Sequence, residues 1–190
     1  FILVAWLCYN LTQEVTARKL LINFMVTIWG SRLAIHIFLR NRGKGEDFRY
    51  KNWRREWGDN FVKRSFLQVF MLQGFFMFVV SLPVIMTNFS SSPTLHGPDF
   101  LALLLFLVGF YFEAVSDYQL YQFKKNPANK GKIMTEGLWR YSRHPNYFGE
   151  MLIWWGIFVL SLHAVFPYVS VISPLVMTWL LIRVSGVPML

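Results

Sequence analysis

DFLALLLFLVGFYFEAVSDYQLYQ, residues 99–122, is apolar over most of its length. No charged residue interrupts positions 100–112, and the stretch is as long as a helix that crosses a bilayer, which needs about 20 mostly apolar residues. Apolar and polar residues do not alternate as they do in a half-exposed β-strand. The stretch therefore predicts a transmembrane helix.

Four further stretches have the same character. They lie at about 18–39, 66–87, 147–164 and 166–183. The last two are only as long as a bilayer minimally requires, and we expect Phe166-Pro167 to join them in a tight hairpin. Residues 1–8, FILVAWLC, resemble the end of an earlier helix. The sequence thus predicts an all-α fold, a polytopic transmembrane helix bundle with about five full or near-full spans and a partial N-terminal one.

The composition agrees with a single transmembrane domain over residues 1–190. The chain is 55% hydrophobic and 18% aromatic, and 15% of its residues are charged, against about a quarter in soluble domains. Cys8 is the only cysteine, which excludes a disulfide framework and a thiolate metal cluster. Phe1 begins inside an apolar run and Leu190 ends without a terminal pattern, so we expect a fragment that lacks parts of both ends.

The basic residues are concentrated in two segments that we expect to be loops between the predicted spans. Residues 40–66 contain nine of the 19, residues 123–146 contain six, and residues 88–98 contain none. If the helices alternate in direction, both basic segments lie on one side, and the positive-inside rule places them in the cytoplasm or its equivalent. Topology then explains the net charge of +9, so membrane lipids rather than nucleic acid are the expected surroundings.

Glu113 and Asp117 are acidic residues inside the stretch at 99–122. Their spacing of four places both on one helix face, where they could point together into a polar cavity. Acidic residues within a span are costly and indicate a functional site by default. The alternative is that Asp117 lies at the interface and only caps the basic segment that follows.

Residues 137–150, GLWRYSRHPNYFGE, carry the densest group of polar and aromatic side chains. Pro145 suits the first turn of a helix, whose free backbone N–H groups and positive dipole end form a cradle for phosphate. The cations expected around this cradle are Lys132, Arg140 and Arg143. An interfacial belt of Arg, Trp and Tyr is the alternative, but it does not explain Asn146 and Glu150, which share one face.

These residues carry a resemblance to a known family. Ser116-Asp117-Tyr118, Gly137-Leu138-Trp139 and the run RHPNYFGE at 143–150 resemble the C-terminal half of the steroid 5α-reductase superfamily, and most of all its uncharacterised steroid-reductase-like membrane proteins. Upstream, GEDFRY at 45–50 and the segment to Gly74 resemble the same subgroup. The similarity covers about residues 30–190. The RHPNYxGE core is also similar to sterol reductases and, more distantly, to isoprenylcysteine methyltransferases.

The resemblance implies an integral-membrane reductase that uses NADPH to reduce an activated C=C bond in a lipophilic substrate, such as a steroid-like, enone or enoyl-lipid compound. It implies that Asn146 contacts the nicotinamide, that Glu150 helps to hold the substrate carbonyl, and that Lys124 and Lys132 bind phosphates. The expected catalytic residues are Glu150 and Tyr147, and no metal is expected. The expected cofactor-binding residues are Asp117, Lys124, Lys132, Arg140, Tyr141, Arg143, His144 and Asn146.

The chain departs from the steroid reductases at three points. Those enzymes carry a catalytic Tyr on the helix that corresponds to 18–39. Here that stretch contains no Tyr, and we take Trp29, Ser31 and His36 as its nearest polar groups. Glu113 replaces the Asn that the family has one turn before Asp117. We do not expect the family's terminal cofactor-contacting tail within residues 1–190.

Two other functions stay open. One is a membrane methyltransferase of the isoprenylcysteine type that uses S-adenosylmethionine, since such enzymes share part of the motif at 143–150. The other is a non-catalytic subunit that binds partner proteins in a membrane complex and retains only the fold. Two features favour the reductase: Ser116-Asp117-Tyr118, and Glu150 directly after the shared motif.

Overall fold

The computed structural model describes residues 1–43, 45–46, 48–91, 94–164 and 166–185, and every regular element within them is helical. The predicted all-α fold is confirmed. The α-helices are α1 (Ile2–Thr12), α2 (Ala17–Asn41), α3 (Phe48–Trp57), α4 (Phe61–Arg64), α5 (Leu72–Asn88), α6 (Gly97–Lys125), α7 (Pro145–Leu160), α8 (Pro167–Ser170) and α9 (Ile172–Trp179). Short 3₁₀ or π-helical turns join or extend several of them.

Four helical segments are long and apolar enough to cross a membrane. They are Ala17–Asn41, Tyr50–Asn88, Gly97–Lys125 and Pro167–Val184. The stretch predicted to span at 147–164 forms α7, which has only 16 residues, and Asn146 and Glu150 make its first turns polar. Four described helices, rather than the five predicted, therefore meet these criteria. The N-terminal stub at 1–8 forms a helix that continues to Thr12.

The predicted loop at 40–66 is mostly helical, which corrects the sequence interpretation. α3 begins at Phe48, a 3₁₀ turn at Gly58–Asn60 leads into α4, and a π-helical turn at Ser65–Met71 continues into α5. The high density of charged residues in this segment led to the prediction of a loop, but most of these residues lie on the exposed surface of helices. Lys44 and Asp47 lie outside the described residues.

Side chains at the helix starts explain where several helices begin. The Thr16 hydroxyl accepts a hydrogen bond from the Lys19 backbone N–H and caps α2. Asp99 accepts the backbone N–H of His96 at 2.7 Å, which closes a capping box at the start of α6. Pro145 and Pro167 occupy the first turns of α7 and α8, where a missing N–H costs nothing.

Polar contacts fix the relative direction of α2 and α6. Arg18, in the first turn of α2, pairs with Asp99 at the start of α6 at 2.7 Å. Arg32, in the second half of α2, pairs with carboxylates in the second half of α6. The two helices therefore run in the same direction, so the segments 40–66 and 123–146 begin at the same end of the bundle. The connection between α5 and α6 lies at the opposite end.

α6 and α7 pack closely because glycines face each other. A Cβ atom added to Gly149 would lie 2.5 Å from the Gly109 carbonyl oxygen, and one added to Gly109 would lie 2.6 Å from the Gly149 carbonyl oxygen. Gly156 approaches the Ala102 carbonyl oxygen in the same way. Small residues allow such backbone approach between membrane helices. The approach brings the polar start of α7 against the second half of α6.

Candidate functional site

Arg32 of α2 joins two carboxylates of α6. Its Nη1 donates a hydrogen bond to Asp117 Oδ2 at 2.8 Å, and its Nη2 donates to Glu113 Oε1. The side chains of Arg32, Glu113 and Asp117 are only 16%, 4% and 12% exposed. Glu113 and Asp117 thus share one face of α6, as their spacing predicts, and that face meets α2.

α7 adds an amide and a third carboxyl group to this arrangement. Asn146 Nδ2 donates to Asp117 Oδ1 at 3.3 Å, and Trp154 Nε1 donates to Glu150 Oε1 at 3.3 Å. The carboxyl group of Glu150 lies close enough to that of Glu113 for the two to interact electrostatically. We call Arg32, Glu113, Asp117, Asn146 and Glu150 the polar cluster.

The polar cluster holds three carboxyl groups and one guanidinium. His36 lies one turn beyond Arg32 on α2, and its Nδ1 is 3.9 Å from Asp117 Oδ2. Charges taken out of water are stable only when they are paired, and Arg32 can balance only one of the three carboxylates. Protons or positively charged ligand groups are needed to offset the other two.

Several buried polar atoms in and around the cluster have no hydrogen-bond partner among the described residues. They include Trp29 Nε1, Arg32 Nε, His144 Nε2 and Asn146 Oδ1. Such atoms are rare in folded proteins and call for an explanation. Because the set offers both donors and an acceptor, it suits a ligand that carries both kinds of group.

The motif Gly137-Leu138-Trp139 attaches the loop before α7 to α6. Trp139 Nε1 donates to the Ser116 carbonyl oxygen at 3.0 Å, and the Leu138 backbone N–H donates to Gln119 Oε1 at 3.1 Å. Gly137 adopts φ +58°, which favours glycine, and a Cβ there would meet the Gln119 side chain at 2.5 Å. This motif therefore positions the start of α7.

His144 and Tyr147 lie at that start. Their rings stack with centroids 4.8 Å apart and planes 10° from parallel. Both residues are half-buried, and Tyr147 is one turn before Glu150. The structure thus places Asp117, His144, Asn146, Tyr147 and Glu150, which the sequence analysis proposed, in one region.

The predicted phosphate-binding lysines lie apart from the polar cluster. Lys124 and Lys132, with Lys125 and Lys130, line a cavity of about 430 Å³ formed by residues 120–134. Lys124 follows Asp117 by seven residues, or about 10 Å of helix rise. The structure therefore brings Lys124, in the last turn of α6, and Lys132, in the loop that follows, to one cavity.

Arg140, Tyr141 and Arg143 are exposed on the loop before α7. Their side chains make no hydrogen bond or ion pair with other described residues, so the charges of the two arginines are available at the surface. A search of the described residues finds no group of three or more His, Cys, Asp or Glu side chains that could hold a metal ion.

Arg32 was not among the site residues predicted from the sequence. An arginine inside a membrane span needs a partner, and Glu113 and Asp117 need a cation for the same reason. His36 lies four residues from Arg32, so the two residues share a face. These were the signals that could have placed Arg32 at the site.

The family comparison covers the whole chain. A family model described as "Protein of unknown function (DUF1295)" matches residues 1–190. An uncharacterized protein of Schizosaccharomyces pombe is 26% identical, and the similarity covers 82% of this chain and 52% of that protein. The chain thus spans about half the length of this curated relative.

A second similarity is short. A probable O-methyltransferase of Ustilaginoidea virens, ustE, is 50% identical over 44 residues, which are 23% of this chain and 16% of that protein. No solved structure matches the chain.

Proposed function

The chain belongs to the DUF1295 family, which is related to steroid 5α-reductase-like proteins, and from this membership and the polar cluster we propose that it is an integral-membrane, NADPH-dependent reductase. Its proposed substrate is a lipophilic compound with an activated C=C bond. It would bind the nicotinamide beside Asn146 and the substrate carbonyl beside Glu150. The protein is a membrane protein by its four long apolar helices, and the reductase activity is our inference.

The orientation of Asn146 is the observation that carries this proposal. Asp117 is paired with Arg32 and acts as an acceptor, so the Asn146 amide must turn its nitrogen toward Asp117. That leaves Asn146 Oδ1 as a buried acceptor without a partner among the described residues. A carboxamide N–H, such as that of nicotinamide, would satisfy it.

The cations at this end of the bundle support a phosphorylated cofactor. The lysine-lined cavity of about 430 Å³ is within the size range of small-molecule sites, and it lies two helical turns beyond Asp117. Exposed Arg140 and Arg143 add positive charge at the start of α7. Arg–phosphate hydrogen bonds are among the stronger ones in proteins.

The chemistry assigns separate tasks to the cofactor and to the chain. NADPH, if bound, would supply a hydride to the β-carbon of the activated C=C bond and become NADP⁺, and the α-carbon would take a proton from water. A hydrogen-bond donor at the substrate carbonyl oxygen would stabilise the negative charge that develops there. We assign this task to Glu150 in its acid form, whose Oε1 is held by Trp154. Tyr147, one turn earlier, is the second candidate donor.

Trp29 offers a substitute for the absent tyrosine. Its side chain is 2% exposed, its ring centroid lies 5.2 Å from that of Trp154, and its Nε1 has no partner among the described residues. Trp29 lies on α2, and α2 corresponds to the helix that carries the catalytic Tyr in steroid reductases. A buried N–H that lacks a partner could donate to the same substrate oxygen.

The proposed topology places the cofactor in the cytoplasm. The segments 40–66 and 123–146 begin at one end of the bundle and hold fifteen of the 19 basic residues, so the positive-inside rule assigns that end to the cytoplasmic side. We propose that α7, extended by the turn at Ser161–His163, completes a fifth span.

Paired substitutions at Glu150 test the reductase. Purified full-length protein would be assayed with NADPH and a panel of lipophilic enones. If Glu150 is the donor, Glu150→Ala should abolish most turnover, whereas Glu150→Gln, which retains a donor, should lose less and show a flatter pH profile. Glu136→Gln, on the exposed loop before α7, is the control. Equal and small effects of both Glu150 substitutions would exclude the donor role.

A methyltransferase is the second candidate function. The excess of carboxyl groups over cations in the polar cluster favours a positively charged ligand, and the sulfonium of S-adenosylmethionine is one. The short similarity to a probable O-methyltransferase agrees with this alternative. Saturable binding of S-adenosylmethionine that is lost in Asp117→Asn would support it. A chain that binds neither cofactor would be a non-catalytic subunit of a membrane complex.

A further inference from the structure

α3 carries a continuous row of aromatic rings. Tyr50 and Trp53 have ring centroids 5.5 Å apart, Trp53 and Trp57 stack at 5.2 Å with planes 7° apart, and Trp57 lies 6.2 Å from Phe61. Spacings of three and four residues keep the three rings of α3 on one side of the helix, and Phe61 at the start of α4 extends the row. The row is a narrow apolar face on a helix that is otherwise polar.

Basic residues flank and oppose this row. Arg54 lies beside it, with its guanidinium 5.0 Å from the Phe61 ring centroid and 2.6 Å from Glu46. Lys51 and Arg55 fall on the other side of the helix by their spacing from Tyr50 and Trp57, and both are exposed. An aromatic face opposite Lys and Arg is the pattern of a helix that lies in a membrane interface.

α3 lies close to the start of a segment that is apolar enough to cross the membrane. Its last residue, Trp57, precedes Ser65, where the apolar part of the Tyr50–Asn88 segment begins, by only about 12 Å of helix rise. A straight continuation would carry the aromatic row out into water. Gly58, however, has φ +47°, so the helix ends at Trp57 and a 3₁₀ turn follows.

α3 packs chiefly on the turn and the short helix that follow it in sequence, and the bilayer is the nearest apolar phase. We propose that α3 is an interfacial helix that rests its aromatic row in the headgroup region of the same membrane, and that its basic residues bind anionic lipid headgroups. The proposal is independent of the reductase. It assigns a lipid-binding surface to a segment that the polar cluster does not use.

Site-directed labelling of the full chain in lipid nanodiscs tests this surface. Single cysteines at Tyr50 and Trp57 report the aromatic row, and cysteines at Asn52 and Glu56, which are exposed and lie away from the row, are matched controls. Each would carry an environment-sensitive fluorophore in bilayers that contain a quencher near the headgroups; the native Cys8 is buried. Quenching at 50 and 57 should be about threefold stronger than at 52 and 56, since such faces insert roughly 5–10 Å.

The charge of the lipid supplies the second readout. Adding anionic lipid to a neutral bilayer should strengthen quenching at position 50, and Lys51→Gln/Arg54→Gln/Arg55→Gln should remove this gain. Each basic residue near an anionic surface can contribute about a fivefold change in binding. Equal quenching at all four positions, quenching at none, or a signal that ignores anionic lipid would overturn the proposal. In the case of no quenching, α3 faces water or another protein.

Discussion

Arg32 is the residue on which the polar cluster depends. It holds two carboxylates that lie one turn apart on α6, and it fixes the acceptor to which Asn146 donates. Glu113 would repel a phosphate if it stood alone, but Arg32 offsets its charge. The departure from the family pattern at Glu113 is therefore balanced by a cation on another helix.

Loss of this cation should destabilise the protein. Arg32→Gln leaves two nearly buried carboxylates without their partner, and breaking a buried ion pair costs about 3 kcal/mol. Thermal unfolding in detergent would measure the loss. Arg32→Lys should lose less, and Arg42→Gln, at the exposed end of α2, is the matched control. An unchanged unfolding midpoint for Arg32→Gln would show that the pairing contributes nothing.

The lysines of the cavity at 120–134 and the exposed arginines of the loop before α7 should govern the affinity for NADPH. Removing a phosphate-paired cation costs roughly 1.5–3 kcal/mol, so Lys124→Ala and Arg143→Ala should each weaken NADPH binding about tenfold or more. Lys63→Ala removes an exposed charge at the same end of the bundle and should have little effect. If all three variants bind alike in a titration, the phosphates lie elsewhere.

At the scale of elements, the contact between α6 and α7 places the site. Sequence patterns predicted both helices within a few residues, because apolar length and Pro145 mark them clearly. The patterns could not show that Gly109 faces Gly149, since that contact depends on how two distant helices pack. They also assigned α3 to a loop, because its dense charge hides a row of aromatic residues at helical spacing.

A methyl group at the glycine contact should separate these helices. The Cβ of Gly149→Ala would fall 2.5 Å from the Gly109 carbonyl oxygen and 2.6 Å from the Glu113 backbone nitrogen, and neither atom can move alone. We expect a loss of about 2 kcal/mol and weaker cofactor binding. Gly74→Ala meets nothing within 4 Å and should be neutral or stabilising. Wild-type stability of Gly149→Ala would contradict this packing.

Across the whole molecule, the two ends of the helix bundle differ in charge and in the polar side chains that they hold. The end that carries the polar cluster and the lysine cavity also carries the basic segments. The opposite end is tied by the buried pair of Arg18 and Asp99 and by the hydrogen bond from Asn23 to Asn88 at 2.8 Å. The charge distribution alone predicted that both basic segments lie at one end and the connection at 88–98 at the other. This was possible because basic residues collect in the connections on one side of a membrane. The pairing of Arg32 was not predicted, because the span was judged by its apolar length.

Labelling of introduced cysteines tests this arrangement of the two ends. A cysteine at Lys130 should react with a membrane-impermeant reagent from the cytoplasmic side only, and a cysteine at Ser91 from the other side only. Both residues are exposed. Labelling of the two positions from the same side would contradict the topology.

Titration of the purified, full-length protein with NADPH and, in parallel, with S-adenosylmethionine tests the proposed activity most directly. We predict saturable binding of NADPH and none of S-adenosylmethionine. Asn146→Leu removes the buried acceptor and should weaken NADPH by about tenfold, as expected for a buried hydrogen bond. Saturable binding of S-adenosylmethionine without NADPH, or binding of neither, would contradict the reductase.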